Sequence, residues 1–169
     1  EFSSVKNTLF WIEKINNKQP VKNAIFARSF NNTKAIPQQL TSNQFFIKSN
    51  FHGYGGKSYK AIEVEEKIYL IWIDQLSKAL WAQTFFYTKN CETVNNKYLI
   101  PDQEPKQLSE SIYGNFDSSF VIKNGKILFG LCEINNFDYL FSLNLEKTQQ
   151  VLNKIKKFDN FAGDLSSNK

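Results

Sequence analysis

The sequence has no methionine, one arginine and one histidine among its 169 residues. Because a translated chain begins with methionine, we expect this one to be a segment of a longer protein. The single arginine, Arg28, leaves the chain without the guanidinium forks that read phosphates and bases, and its lysines form no stripe. The net charge of +5 is therefore interpreted as a solvated lysine surface, and no nucleic-acid partner is predicted.

Cysteine and histidine are too scarce for a structural zinc site, which needs four such ligands. Cys91 lies in a polar stretch and Cys132 in an apolar one, so no disulfide between them is expected. No cofactor is predicted. Two reduced thiols are typical of a cytoplasmic protein, which is the predicted location.

Long apolar runs are also missing. No run approaches the roughly 20 residues that cross a bilayer. Residues 1–19 are polar and lack the apolar core of a signal peptide. No membrane partner is predicted.

Aromatic residues are abundant, with 16 Phe, 7 Tyr and 3 Trp, and this richness favours strands. Lys67–Asp74 is apolar almost throughout, which is typical of a strand buried on both faces. Asn124-Gly125 stands between two apolar runs and predicts a hairpin with a type I′ turn. Residues 147–157 have a spacing that suits a helix or a strand equally.

An apolar strand followed by a polar turn and a Gln-Leu-like element occurs three times, at Leu40, Leu108 and Val151. Without a polar insertion at residues 89–104, the spacing approaches the roughly 40–50 residues of a propeller blade. This repeat favours a strand over a helix at residues 147–157. It also favours a propeller over a β-sandwich, in which nothing requires the repeat.

We therefore predict an all-β fold, a partial β-propeller of about three blades, each an antiparallel four-stranded meander. The predicted blades are residues 8–43, 56–111 and 117–155, with the start of a further blade at 159–169. Three blades are too few to close a ring, so more chain is expected.

The sequence predicts no catalytic motif. Gly55-Gly56-Lys57-Ser58 has the ending of a phosphate-binding loop, but Phe51 stands where that motif requires glycine, and a strand follows. No Gly-x-Ser-x-Gly nucleophile elbow occurs. Nothing in the sequence pairs two acids as a glycosidase requires. The chain itself is not predicted to be an enzyme, and it has no predicted catalytic, cofactor-binding or metal-binding residue.

Residues 50–59 (NFHGYGGKSY) resemble the His-Glu-Tyr-Gly-Gly-Gly-x-Tyr stretch of bacterial dipeptidyl aminopeptidase/acylaminoacyl-peptidase proteins, of the prolyl oligopeptidase class. Gly53 stands in place of the family's Glu, and Lys57 in place of its third Gly. The matching residues form a structural fingerprint: His52, Tyr54, Gly55, Gly56 and Tyr59. Weaker matches occur at residues 11–13, 71–83 and 113–117, at Glu133, and at residues 161–166.

The resemblance implies the N-terminal β-propeller of a serine-type aminopeptidase or acylaminoacyl-peptidase. It implies a non-catalytic portion that gates or shapes access to an α/β-hydrolase domain C-terminal to this chain, with peptides as the substrate of the parent protein. The alternative is a stand-alone β-propeller-like or β-sandwich module that binds a protein or carbohydrate partner. Exposed blade edges further predict a possible homodimer.

Overall fold

The predicted all-β class is confirmed by a computed structural model, whose arrangement is compatible with a partial propeller. The structure describes residues 1–15, 22–30, 36–53, 55–88, 98–112 and 114–159. Within those ranges the chain forms three antiparallel sheets and one short 3₁₀ turn, Phe51–Gly53.

The sheets follow one another along the chain, and consecutive strands pair within each except for β8 and β9 of sheet 2. Sheet 1 comprises β1 Phe2–Val5, β2 Thr8–Lys14, β3 Asn23–Ser29 and β4 Gln38–Gln39. Sheet 2 comprises β5 Tyr59–Val64, β6 Lys67–Asp74, β7 Ala79–Tyr87, β8 Leu99–Pro101 and β9 Lys106–Gln107, the last two both pairing with β7. Sheet 3 comprises β10 Gly114–Lys123, β11 Ile127–Ile134, β12 Phe137–Asn144 and β13 Asn153–Asp159. The further blade predicted at 159–169 lies outside the described residues apart from Asp159, which ends β13.

Two apolar layers hold the three sheets together. The layer between sheets 1 and 2 is built around Phe10, Ile25, Trp72 and Phe85. The layer between sheets 2 and 3 is built around Leu80, Phe116, Leu128 and Phe141. Sheet 2 is therefore the middle of the stack.

Strand β6 contributes to both layers, because successive side chains of a strand point to opposite faces. Ile68, Leu70 and Trp72 enter the first layer. Ile71 and Ile73 enter the second. The prediction of a strand buried on both faces is confirmed.

The hairpin between β10 and β11 turns at Asn124-Gly125 as predicted, but Lys126 is a third loop residue because Lys123 pairs with Ile127. Asn124 and Gly125 have φ of 53° and 64°, and Lys126 N donates to Lys123 O at 3.1 Å. Positive φ at both central positions is the signature of a type I′ turn.

The first two copies of the repeat are structurally equivalent. Leu40 N donates to Ile25 O, and Leu108 N to Leu80 O, both at 2.8 Å. The next residue in each copy carries a hydroxyl that accepts a hydrogen bond from the same strand: Thr41 Oγ1 from Ile25 N and Ser109 Oγ from Leu80 N. The repeat thus closes the edge of β3 and of β7 in the same way.

The third copy is not equivalent, and the alignment of Val151 with Leu40 and Leu108 is wrong. Val151 is 72% exposed and precedes the last strand rather than lying in or beside it. The side chain of Gln150 instead bonds the backbone of Asn144, donating to O at 2.6 Å and accepting from N at 3.0 Å. The strand favoured for residues 147–157 is present as β13, which starts at Asn153.

Candidate functional site

Four of the five fingerprint residues lie in the connection between β4 and β5, and Tyr59 is the first residue of β5. Residues 48–58 of that connection are here called the crossover loop. It joins sheet 1 to sheet 2 along the chain, yet its side chains and amides bond sheet 3. Tyr54 lies outside the described residues, as do Tyr113 and residues 161–166 of the weaker matches.

His52 is held by two carboxylates of sheet 3. Its backbone N donates to Glu133 Oε2 at 2.9 Å, and its Nε2 lies 3.1 Å from Asp138 Oδ2. His52 has φ of 52°, a left-handed conformation that costs a residue with a Cβ about 1 kcal/mol. The two carboxylate contacts offset that cost.

Ser49 organises the loop from within. Its buried hydroxyl donates to Phe116 O in β10 at 2.6 Å, and it accepts hydrogen bonds from Gly56 N at 3.2 Å and Phe51 N at 3.3 Å. One side chain therefore closes both arms of the loop onto sheet 3.

The two glycines of the fingerprint are required by geometry. Gly55 has φ of +82°, a conformation that residues with a side chain rarely adopt. A Cβ on Gly56 would lie 2.8 Å from Asp117 Oδ1 and 3.1 Å from Ser49 Oγ. Asp117 Oδ1 already accepts Lys57 N at 3.2 Å, so it is fixed against the loop.

Tyr59, the first residue of β5, connects all three sheets. Its ring is buried in the first apolar layer, and its hydroxyl donates to Phe10 O at 2.8 Å and accepts from Ser3 Oγ at 3.1 Å. Its backbone O accepts Ser118 Oγ of β10 at 2.9 Å. Burial raises the pKa of Tyr59 to about 12.

Beside the loop, a cleft of about 680 Å³ opens where sheets 2 and 3 meet. Its lining residues come from the loop, from the turn after β6 and from the segment that enters β10. They are Asn50, Lys78, Ser111, Ile112, Gly114 and Asn115. Among the described lining residues, Lys78 is the one of a charged type.

The hydrogen bonds of the loop fix its position against sheet 3. The described partners of His52 are carboxylates and a neighbouring ring, with no serine or cysteine among them. Within the described ranges, no three His, Cys, Asp or Glu side chains could share a metal ion. Burial raises the pKa of Cys132 to about 12, so that thiol is protonated at neutral pH. Cys91 lies outside the described residues.

Several residues of the site carried no signal in the sequence. Asp138 and Ser49 meet partners 86 and 67 positions away in the chain, and only the stacking of the sheets brings them together. Glu133, which was matched to a family position, does reach the loop at His52.

The part of the chain that the structure describes holds no helix long and apolar enough to cross a membrane.

Comparison with known proteins gives a structural match without a sequence match. No protein-family model matches the chain, and no curated protein matches it. The structure of a Mycobacterium tuberculosis puromycin-hydrolyzing peptidase is similar to 88% of this chain, with a TM-score of 0.64 and 11% identity. This chain spans only 22% of that protein, and the likeness shows the fold alone. Two structures of a puromycin hydrolase match at 7% identity, with TM-scores of 0.43 and 0.42, over 94% of this chain and 32% of theirs.

Proposed function

We propose that this chain is a non-catalytic propeller portion of a peptidase, where it shapes or gates access to an α/β-hydrolase domain of the same protein. The observation that carries the proposal is the match of 88% of the chain to 22% of a puromycin-hydrolyzing peptidase. The resemblance of residues 50–59 to peptidases of the prolyl oligopeptidase class supports the same assignment. The parent protein would then be a serine-type aminopeptidase or acylaminoacyl-peptidase that acts on peptides.

The packing of the sheets suits a rigid barrier that restricts access to an active site more than it suits an active site itself. Two apolar layers fix the sheets to each other, and the crossover loop, which precedes sheet 2 in the chain, adds polar bonds to sheet 3. A rigid wall excludes substrates by size, whereas it leaves small substrates free to reach a separate active site.

The first test is whether the parent protein hydrolyses peptides. We expect its reading frame beyond Lys169 to encode a Gly-x-Ser-x-Gly elbow followed by Asp and His, and the full-length protein to hydrolyse puromycin or chromogenic aminoacyl amides. A stop codon soon after Lys169, or an intact full-length protein inactive on all of these, would contradict the proposal. The competing function, a stand-alone binding module, would then be favoured.

The second test addresses gating in the same full-length protein. Asp138→Ala removes the carboxylate that holds the His52 ring and should loosen the loop. We expect unchanged turnover of a chromogenic aminoacyl amide and faster cleavage of casein. Glu146→Ala, which removes an exposed partner of Lys126, is the matched control and should change neither rate. Equal casein cleavage by both variants and the unmodified protein would argue against a gate.

A cytoplasmic location is also proposed, supported by the buried free thiol of Cys132. Fractionation of the source cells, with a cytoplasmic enzyme as marker, tests it. Recovery with secreted or envelope proteins would contradict it.

A further inference from the structure

The cleft beside the crossover loop has a framework that fixes its walls. The Asp74 carboxylate, at the end of β6, accepts Phe46 N at 2.8 Å, Ser77 N at 2.9 Å and Ser77 Oγ at 2.6 Å. These bonds hold the turn that carries Lys78. The opposite wall is tied to that turn, since Ile112 N donates to Lys78 O at 3.1 Å.

Gly114, a lining residue at the start of β10, lies directly against the backbone of β11. A Cβ at this position would lie 1.9 Å from Glu133 O, so β10 can approach the end of β11 only without a side chain here. Its neighbour Asn115 donates from Nδ2 to Glu133 Oε2 at 3.5 Å. The backbone and one amide thus form a small polar floor.

The lining has polar groups that nothing in the described chain uses. The Lys78 ammonium and the Asn50 side-chain amide have no hydrogen-bond or ion-pair partner among the described residues. Ile112, partly buried against the second apolar layer, supplies an apolar wall. The volume, about 680 Å³, lies within the roughly 300–1,000 Å³ of small-ligand sites.

One cation with free amide donors suits an anionic group. Lys78 and Asn50 can donate to a carboxylate, and charge-assisted hydrogen bonds are the stronger kind. Glu133 does not line the cleft, and its Oε2 already accepts His52 N and Asn115 Nδ2. Its negative charge is partly compensated there, so Lys78 is the charged group that gives the cleft its preference for anions.

We propose that this cleft binds the carboxylate of a short peptide, with Lys78 as the ion partner, Asn50 as an amide donor and Ile112 against an adjacent apolar side chain. The preference for an anion rests on the lining residues. The choice of a peptide rests on the proposed function. The carboxylate can come from a chain end or from an acidic side chain.

Calorimetry on the full-length protein tests the proposal, after treatment with a serine-reactive phosphonate that keeps the peptides intact. The probes are acetyl-Ala-Ala-Ala with a free carboxylate, its C-terminal amide, and acetyl-Asp-Ala-Ala amide. We expect the plain amide to bind at least about tenfold more weakly than the free acid, the effect of losing one charge-assisted hydrogen bond. The aspartyl peptide shows whether a side-chain carboxylate serves as well as a terminal one.

Variants identify the residue responsible. Lys78→Gln should weaken binding of the free acid about tenfold, and Lys78→Arg should retain most of it. Lys123→Gln, at the far end of β10 and exposed, is the matched control and should bind as the unmodified protein does. Thermal unfolding of each variant establishes that it is folded.

Three results would overturn the proposal: no binding of either carboxylate peptide, equal binding of acid and amide, or unchanged binding by a folded Lys78→Gln variant. None of them depends on hydrolysis. If binding requires Lys78 but the full-length protein has no peptidase activity, the carboxylate site is supported and the proposed peptidase function is refuted. If the protein hydrolyses peptides but does not bind them in this way, the proposed function is supported and the carboxylate site is refuted.

Discussion

At the scale of single residues, Tyr59 of sheet 2 connects the other two sheets, because its side chain bonds sheet 1 and its backbone bonds sheet 3. Replacing it by phenylalanine keeps the ring in the first apolar layer and removes only the hydroxyl. That hydroxyl donates to Phe10 O and accepts from Ser3 Oγ.

We expect Tyr59→Phe to lower the free energy of unfolding by about 1–2 kcal/mol, the usual effect of losing a buried hydrogen bond. Urea unfolding measures it. Tyr69→Phe is the control, since no side-chain hydrogen bond of Tyr69 is seen in the described chain, and it should change stability by less than about 0.5 kcal/mol. Equal losses in the two variants would show that the Tyr59 hydroxyl contributes nothing specific.

The same hydroxyl predicts a loss of stability in alkali. Burial raises the pKa of Tyr59 from 10.0 to about 12, so the unfolded chain releases this proton first as the pH rises. The contribution of Tyr59 is therefore complete below about pH 10 and is lost between about pH 10 and 12. Urea unfolding across this range should show a steeper decline for the unmodified protein than for Tyr59→Phe. Parallel declines would assign the loss to other groups.

At the scale of elements, the hairpin between β5 and β6 has an unusual turn. Val64 pairs with Lys67, so Glu65 and Glu66 alone make the turn, with φ of 51° and 65°. Both residues are in the left-handed region that type I′ turns require and that Asn-Gly fills at least cost. Two adjacent carboxylates also repel each other here.

Replacing this pair by Asn-Gly (Glu65→Asn with Glu66→Gly) should raise the free energy of unfolding by about 1 kcal/mol, because the left-handed strain is relieved. Thermal and urea unfolding measure the gain. The turn between β11 and β12 offers the control: Asn136 has φ of 62° in a residue type that tolerates it, so Asn136→Gly should change little. A similar gain at both turns would point away from strain as the cause.

These turns also show how far the sequence predicts the elements. Asn124-Gly125 could be recognised because its turn chemistry is local, whereas Glu65-Glu66 carries no such signal. The burial of β6 followed from its unbroken apolar pattern. The prediction of the third repeat was wrong because Val151 resembles Leu40 and Leu108 in residue type but is exposed where they are buried.

The candidate site was less accessible to prediction than the strands. The sequence indicated the crossover loop and its glycines, and it could not indicate Asp117 or Asp138, which reach the loop only through sheet stacking. Lys78 is one lysine among many in the sequence. What distinguishes it is the cleft around it, which three separate chain segments build.

At the scale of the whole molecule, sheet 2 is covered on both sides, and sheets 1 and 3 each pack on one side within the described residues. On β10, Val121 is 64% exposed and pairs with Phe129 of β11. Exposed apolar positions on an open sheet favour association.

The predicted homodimer is tested by size exclusion with light scattering on the 169-residue chain. We expect a dimer, and we expect Val121→Lys to shift it towards monomer. Val151→Lys, at a position that is at least as exposed but outside the strands, is the control and should leave the dimer intact. A monomer at high concentration would rule out the dimer.

The contacts of the crossover loop also constrain the order in which the protein folds. The amides of His52 and Lys57 cannot be paired until the chain has been made as far as Glu133 and Asp117, 81 and 60 residues beyond them. Such distant contacts form late, because the intervening chain must first be brought together. During refolding followed by pulsed hydrogen exchange, the amides of His52 and Lys57 should therefore gain protection together with β10 and β11 and after β5–β7. Protection alongside β5 would contradict this order. During synthesis on the ribosome, sheets 1 and 2 would therefore be complete before the crossover loop could bond sheet 3.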